Sequence, residues 1–273
     1  MGAAVMAASH KWVRRTMKAA LRVIYPPQCL GCGAGVDGDG ALCPSCWRDC
    51  EFVGGCACAR CGVPLPGGGS DSGADAAGLL CDDCLIVTRP WHAGRAAVVY
   101  DGVGRRLVLA LKHGDRLDLG RPLGGWVAQA AAPLIRPEMI VAPIPLHPRR
   151  LLRRKFNQAA LLSAQVSRQH GLQHAPTLLA RTRATLPQDH RSRAERFANL
   201  AEAMAVTPAH AAMLAGRPVL LVDDVMASGA TMAAATHALL AAGAASVSVV
   251  VLARAVRETG GRNGTMEIGG AIS

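Results

Sequence analysis

Aromatic residues make up only 3% of this 273-residue chain, so the core that its 51% apolar content can build must be aliphatic. The same scarcity leaves little material for a base-stacking surface of the kind that grips single strands of nucleic acid. No apolar run approaches the roughly 18 residues that a membrane-spanning helix needs. A secretory leader puts its charge ahead of its apolar stretch. Here nine small or apolar residues come first, and Lys11, Arg14, Arg15 and Lys18 follow. The expectation is a soluble, cytoplasmic protein without stable membrane insertion. Acidic residues are also short, 19 against 30 Lys and Arg, for a net charge of +11.

That charge is unevenly placed. Residues 1–91 carry eight basic and eight acidic side chains, whereas residues 92–273 carry 22 and 11. Within the second part, His147 to Arg196 holds 11 basic residues and two acidic ones. A basic band of this kind suits a polyanionic partner such as nucleic acid or pyrophosphate, with a merely solvated face as the alternative. Arg150, Arg153, Arg154 and Lys155 are its densest cluster and the candidate contacts to nucleic acid. Phe156 in the band and Phe197 just past its end are the only aromatics there, so phosphate contacts would dominate and binding would depend strongly on salt.

All ten cysteines fall between Cys29 and Cys84, and eight of them form four C-x-x-C pairs. The pairs are Cys29 with Cys32, Cys43 with Cys46, Cys58 with Cys61, and Cys81 with Cys84. Each such turn aims two thiolates at one ion, and two turns complete a tetrahedral Zn²⁺ site. In a reducing compartment this spacing favours metal over disulfides. Ten residues separate the first two pairs and 19 the second two. Spacing leaves open whether the pairs fill two sites in order or cross over, and Cys50 or Cys56 could replace a neighbour. The stretch GGGSDSGADAAG from Gly67 to Gly78 reads as a flexible insertion between knuckles.

The stretch that carries the chemistry is VLLVDDVMASGAT, Val219 to Thr231. Val219 to Val222 is a short apolar run of the kind found in strands buried on both faces. Asp223 and Asp224 follow at its carboxyl end, where open α/β sheets bind ligands. Ala227, Ser228, Gly229, Ala230 and Thr231 are small, so their backbone N–H groups can face a ligand. An Ala-rich helix over Met232 to Ala242 then presents its amino end, a natural anion site. Together these describe a pocket for a sugar phosphate: the acids take ribose hydroxyls and any Mg²⁺, and the loop takes the phosphate.

Elsewhere strands and helices alternate over roughly 160 residues, which predicts an α/β fold with a parallel sheet flanked by helices. Strands are expected over Ala96–Tyr100, Met139–Ile144 and Ser246–Leu252. Helices are expected over Val103–His113, Gly120–Leu134 and from LRRKFNQ through Ser167, with Asn157 able to cap the last. Thr207-Pro208 should start a short helix to Leu214. Leu178 to Leu186 reads as extended. A Pro-rich turn closes the second strand, and its Pro145, Leu146, His147 and Arg149 are candidates to hold a pyrophosphate group. The expected organisation is a basic amphipathic helix (1–25), a cysteine-rich zinc module (26–90), the α/β domain (91–254) and a frayed tail (255–273).

The acidic pair and its loop resemble the phosphoribosyl pyrophosphate (PRPP) loop of type I phosphoribosyltransferases, which usually reads DD-x-x-T-T-G-A-T. Ala227-Ser228 stands here in place of Thr-Thr. PPQCLGC, VLALKHG, IVAPIPLHPRRLLRRKFNQ, LLVDDVMASGAT and the closing VLAR together resemble the ComF family of competence-associated and GntX-like proteins. Lys155 stands where that family usually has glycine. The resemblance implies a type I phosphoribosyltransferase fold, PRPP with Mg²⁺ as ligand and a structural Zn²⁺ module. It also implies a role beside single-stranded DNA import in natural transformation, with a competence helicase as partner. Transfer of ribose 5-phosphate from PRPP to an unknown nitrogenous acceptor is the enzymatic alternative, with Asp223 and Asp224 as its catalytic pair.

Overall fold

The computed structural model describes residues 25–66, 78–113, 116–181 and 204–256. The helix expected over residues 1–25 lies outside them but for Tyr25. So do the Gly-rich insertion up to residue 77, the arginine-rich segment 182–203 and the tail beyond Val256.

The chain's most apolar, β-branched runs form the middle of the sheet. They are β6 (Pro218–Met226) and β7 (Ser246–Arg254), whose apolar side chains are almost entirely buried. With β1 (Ala93–Val99), β2 (Ile140–Pro143) and β3 (Gln173–His174) they make one five-stranded sheet in the order β1-β7-β6-β2-β3, every pair parallel. Because successive strand residues face opposite sides, β6 feeds two cores. Leu220 and Val222 join Leu107, Leu123, Val127 and Leu162 on one face, and Val219 and Leu221 join Met232, Leu239 and Leu178 on the other. The first face is covered by α3 (Gly102–His113), α4 (Gly120–Ala131) and α6 (Gln158–His170), the second by α8 (Ala230–Ala241). Short helices α1 (Pro44–Arg48) and α2 (Asp82–Ile86) belong to the cysteine module. Among the described residues no helix is long and apolar enough to cross a membrane.

Several boundaries differ from expectation for local reasons. The helix expected from LRRKFNQ is two: α5 (Pro148–Arg154) and α6. Lys155 breaks it in the left-handed region at φ 64°, a conformation costly to any residue with a Cβ. The family resemblance puts glycine there, and the backbone explains why. Asn157 then caps α6, its Oδ1 accepting from the Ala159 amide at 3.1 Å while its Nδ2 donates to the Ile144 carbonyl at 3.0 Å. That second bond pins the start of α6 to the end of β2. The expected helix Gly120–Leu134 ends at Ala131 and continues as a 3₁₀ turn through Leu134. After Thr207 a 3₁₀ turn (Pro208–His210) leads into α7 (Ala211–Leu214). Of the extended stretch after Leu178, β4 (Leu179–Arg181) pairs antiparallel with β5 (Met204–Val206) as a ribbon apart from the main sheet.

The cysteine module is built onto the sheet rather than strung before it. Segment 51–53 runs antiparallel along the outer edge of β1, with Val53 N–H donating to Ala97 O at 2.9 Å and Val99 N–H to Glu51 O at 2.8 Å. This covers an edge that would otherwise be open to pairing with another chain. The second knuckle docks backbone to backbone. A Cβ on Gly62 would stand 2.6 Å from the Ala96 nitrogen, and one on Gly94 would stand 2.3 Å from the Arg60 carbonyl oxygen.

Replacing Lys155 by glycine should relieve the backbone without disturbing a contact. We expect about 1 kcal/mol of added stability, read as a rise of roughly 2–4 °C in melting temperature by calorimetry.

Candidate functional site

The end of β6 is where the acidic pair sits, and the sheet explains why it is accessible. Strand β2 leaves its neighbour at the Pro143–Val222 pair, while β6 runs on beside β7 to Met226 opposite Arg254. Asp223 and Asp224 are thus inside the strand, not after it as the apolar run alone suggested. They stand where β6 has lost its β2-side neighbour. Strand alternation turns them to opposite faces, and each finds a different environment.

Asp224 is buried and forms an ion pair with Lys112 of α3, Nζ to Oδ1 at 2.9 Å. Asp223 is half-buried, and its Oδ1 accepts the Asp224 amide at 2.8 Å. Burial, reinforced by the neighbouring Asp224, pushes the Asp223 carboxyl up to about 7, against the opposing pull of that amide, Lys112 and Arg181. Arg181, at the end of β4, is itself lowered by burial; Asp223 steadies its charge and Arg150 of α5 opposes it. Arg150 of the basic cluster therefore lies close enough to Arg181 to oppose its charge, and Arg181 is what links it to Asp223. Lys155 lies exposed beyond it. Lys112 and Arg181 were not singled out by sequence reasoning. Lys112 lies in the VLALKHG stretch, where a lone Lys on an amphipathic helix carries no signal of its partner.

The loop after β6 is shorter than the spacing suggested. Gly229, at φ 79°, is the helix N-cap, so Ala230 and Thr231 already belong to the first turn of α8. Their amides, with that of Met232, have no carbonyl within the helix to bond, although Ser228 Oγ accepts weakly from Ala230 at 3.4 Å. Glycine is required at 229 twice over. Its φ is left-handed, and a Cβ would meet Arg89 Nη1 and the Trp91 ring at 3.0 Å each. Across the cleft, Pro145, Leu146 and His147 follow β2 and lead into α5, which begins with Pro148 and contains Arg149 and Arg153. A loop with unpaired amides, two carboxylates and nearby arginines can take a phosphorylated sugar. Mg²⁺ typically keeps several waters and binds one or two carboxylates plus substrate phosphates, which this donor set can supply.

The cysteines resolve into two centres. Cys29, Cys32, Cys43 and Cys46 form one; Cys58, Cys61, Cys81 and Cys84 form the other, with all Sγ atoms of a centre within 4.8 Å of one another. The pairs are used in order, without crossing over. Sulfurs on a tetrahedron with bonds of ~2.3 Å to Zn²⁺ lie about 3.8 Å apart. Cys32 to Cys43 and Cys61 to Cys81 are each 3.6 Å. Backbone amides of Gly31 and Cys43 point at Cys29 Sγ, at 3.4 and 3.2 Å. Hydrogen bonds hold the Cys43 thiol down to about 6 and the Cys58 thiol down to about 4, the first chiefly from Ser45 and the second from Cys61. These residues fit zinc. Cys50 and Cys56 belong to neither centre, and burial alone pushes Cys50 up to about 11.

Two outcomes follow. Elemental analysis should find two Zn²⁺ per chain in the wild type and in Cys50→Ser and Cys56→Ser, but about one in Cys61→Ser. The raised Asp223 carboxyl also has a linkage consequence. Its folded value lies above its unfolded one, so it weighs nothing on folding below pH ~4, weakens it progressively from ~4 to ~7, and costs a constant amount above. Asp223→Asn should therefore stabilise the ligand-free protein by about 2 kcal/mol at pH 8 in urea titrations, and the gain should vanish towards pH 4.

Residues 20–85 match the family model of the double zinc ribbon domain, and residues 171–265 that of the phosphoribosyl transferase domain. The chain is 32% identical over 203 residues to the DNA utilization protein YhgH of Escherichia coli K12, spanning 72% of this chain and 83% of that protein. It is 35% identical over 119 residues to Competence protein F of Haemophilus influenzae, spanning 44% of this chain and 51% of that one. Among solved structures, the glutamine PRPP amidotransferase from B. subtilis is similar over 53% of this chain and 30% of its own, at 17% identity and a TM-score of 0.36, a likeness too slight to bear on function. With both domain models matched in order and a relative matched over most of its length, the chain belongs to the ComF/YhgH family of phosphoribosyltransferase-fold proteins with an N-terminal zinc-ribbon module.

Proposed function

We propose that this protein binds PRPP with Mg²⁺ at the end of β6 and serves DNA uptake or utilisation by holding single-stranded DNA along its basic band. The observation that carries the first part is the continuation of β6 past β2. It brings the half-buried Asp223, the buried Asp224 and an amide-rich helix start to one open strand end. In this reading Asp223 and Asp224 accept ribose hydroxyls and ligate Mg²⁺. The amides from Ala227 to Thr231 donate to the 5′-phosphate, and Pro145 to Arg149 receive the pyrophosphate. Lys112 occupies Oδ1 of Asp224, which leaves Oδ2 to accept a hydroxyl. The DNA role rests on the names of the relatives and on the charge of the band, of which Arg150 and Lys155 are exposed.

A second reading, turnover, is favoured by one observation. A carboxyl titrating near 7, as Asp223 does, suits proton exchange with a nitrogenous acceptor. Release of pyrophosphate from PRPP on adding candidate bases would support it.

Calorimetry decides the main proposal. Wild-type protein should bind PRPP only with Mg²⁺ present, and Asp223→Asn combined with Asp224→Asn should weaken it more than about 100-fold with the fold retained. Single-stranded DNA should bind with an affinity that falls steeply with salt, by about 0.7 in the log–log slope per phosphate contact. Equal PRPP affinity in the double variant would sink the assignment of the pocket, and salt-independent or absent DNA binding would sink that of the band.

A further inference from the structure

The phosphate-type loop is held from behind by two buried arginines, and one of them touches a metal-ligating sulfur. Arg254, the last residue of the VLAR strand, is 3% exposed. Its Nη1 donates to the carbonyls of Met226 at 3.0 Å and Ala227 at 2.8 Å, and also to that of Ala255. Its Nη2 lies 3.7 Å from Cys61 Sγ. Arg89, 5% exposed and in the segment joining the two modules, donates from Nη1 to the Ser228 carbonyl at 2.6 Å and lies over the Trp91 ring at 5.5 Å. Three successive loop carbonyls are thus turned toward the cysteine module. In a trans peptide the N–H points opposite to its C=O. The amides of Ala227, Ser228 and Gly229 are therefore aimed the other way, out of the protein's body.

A buried guanidinium needs a compensating charge. Among the described residues no carboxylate pairs with Arg254, and Cys61 Sγ, at 3.7 Å from its Nη2, is the group in its reach that a bound metal would make anionic. Four thiolates around a divalent ion leave a net charge of about −2, which is the counter-charge Arg254 requires. The first cysteine centre has no such link. Its Cys29, Cys43 and Cys46 pack into the core that holds Val103 and Leu107, and among the described residues no hydrogen bond from this centre reaches the loop.

We propose that the second cysteine centre is a working part of the ligand site: metal held by Cys58, Cys61, Cys81 and Cys84 anchors Arg254, and Arg254 with Arg89 orients the loop amides toward phosphate. Arg254 and Arg89 are positioning residues, not ligand contacts. The inference deepens the PRPP reading and rests on it for the ligand, but the coupling of metal centre to loop stands or falls separately.

The test uses the full-length chain and two readouts. Hydrogen exchange follows the loop through the amides bonded to its carbonyls, and calorimetry measures PRPP with Mg²⁺. In Arg254→Gln and in Cys61→Ser, exchange at the Ala255 and Ala233 amides, which donate to the Met226 and Gly229 carbonyls at 3.0 and 2.9 Å, should quicken by about tenfold or more while the strands β2 and β6 stay protected. PRPP affinity should fall by a similar factor. Arg254→Lys, which keeps the charge but not the fork, should lie between wild type and Arg254→Gln. Arg89→Lys provides a second route should Arg254→Gln fail to fold, and should quicken exchange at Ala233, whose amide donates to the Gly229 carbonyl. Unchanged loop exchange in Cys61→Ser or Arg254→Lys would overturn the proposal, and so would a uniform rise across the whole chain. If wild-type protein binds no PRPP, the ligand assignment fails, yet the exchange pattern still decides whether metal and loop are coupled.

Discussion

The pairing of β6 with β7 is the interaction on which the other features lean. Both strands are apolar on both faces, so neither is stable except in the middle of a covered sheet. Their ladder continues four residues beyond the last β2 partner, from Asp223 opposite Val251 to Met226 opposite Arg254. That overhang frees the acidic pair on one side. On the other it sets the loop after Met226 directly beside the end of β7, within reach of the Arg254 side chain. A one-residue slip in register would exchange the faces of Asp223 and Asp224 and move Arg254 off the loop carbonyls.

The zinc-ribbon module extends this logic to the sheet's outer edge. Segment 51–53 pairs with β1, and each cysteine centre joins the core of a different face. Cys29, Cys43 and Cys46 pack with Val98 and Val103; Cys58, Cys61 and Cys84 pack with Trp91 and Ile140. In a chain with so few aromatics, metal coordination replaces the large side chains that would otherwise fill so small a module. Gly62 and Gly94 allow the knuckle and strand backbones to meet without intervening side chains, which makes the junction rigid. A rigid junction is what lets Arg60, Trp91 and Arg89 form one continuous seam. Arg60 donates to the Trp91 and His92 carbonyls at 2.7 Å each, Trp91 donates back to the Arg60 carbonyl, and Arg89 holds Ser228.

Much of the site was legible because its signals are local. The C-x-x-C pairs declare themselves by spacing, and the run from Val219 to Thr231 by the order of apolar, acidic and small residues. Asn157 was readable as a cap because capping involves only its next neighbours. The misreadings have the same origin. LRRKFNQ has the composition of one helix, and nothing within it shows that the chain must turn at Lys155 so that Asn157 can reach Ile144. The apolar run ends at Val222, yet β6 does not, because the ladder with β7 keeps the two aspartates extended.

What the sequence determined by itself was therefore the inventory: two pairs of metal knuckles, an α/β alternation, an acidic strand end and a loop fit for an anion. Each depends on residues a few positions apart, where periodicity and steric preference act. Only the tertiary structure decided the pairing order of the knuckles, the Lys112 partner of Asp224, the nearness of Arg181 to Asp223, and the hold of Arg254 and Arg89 on the loop. Knuckles aside, those contacts join residues from 27 to 193 positions apart. No local pattern encodes them, because they arise when separate elements are brought together by the burial of apolar faces that look alike in sequence.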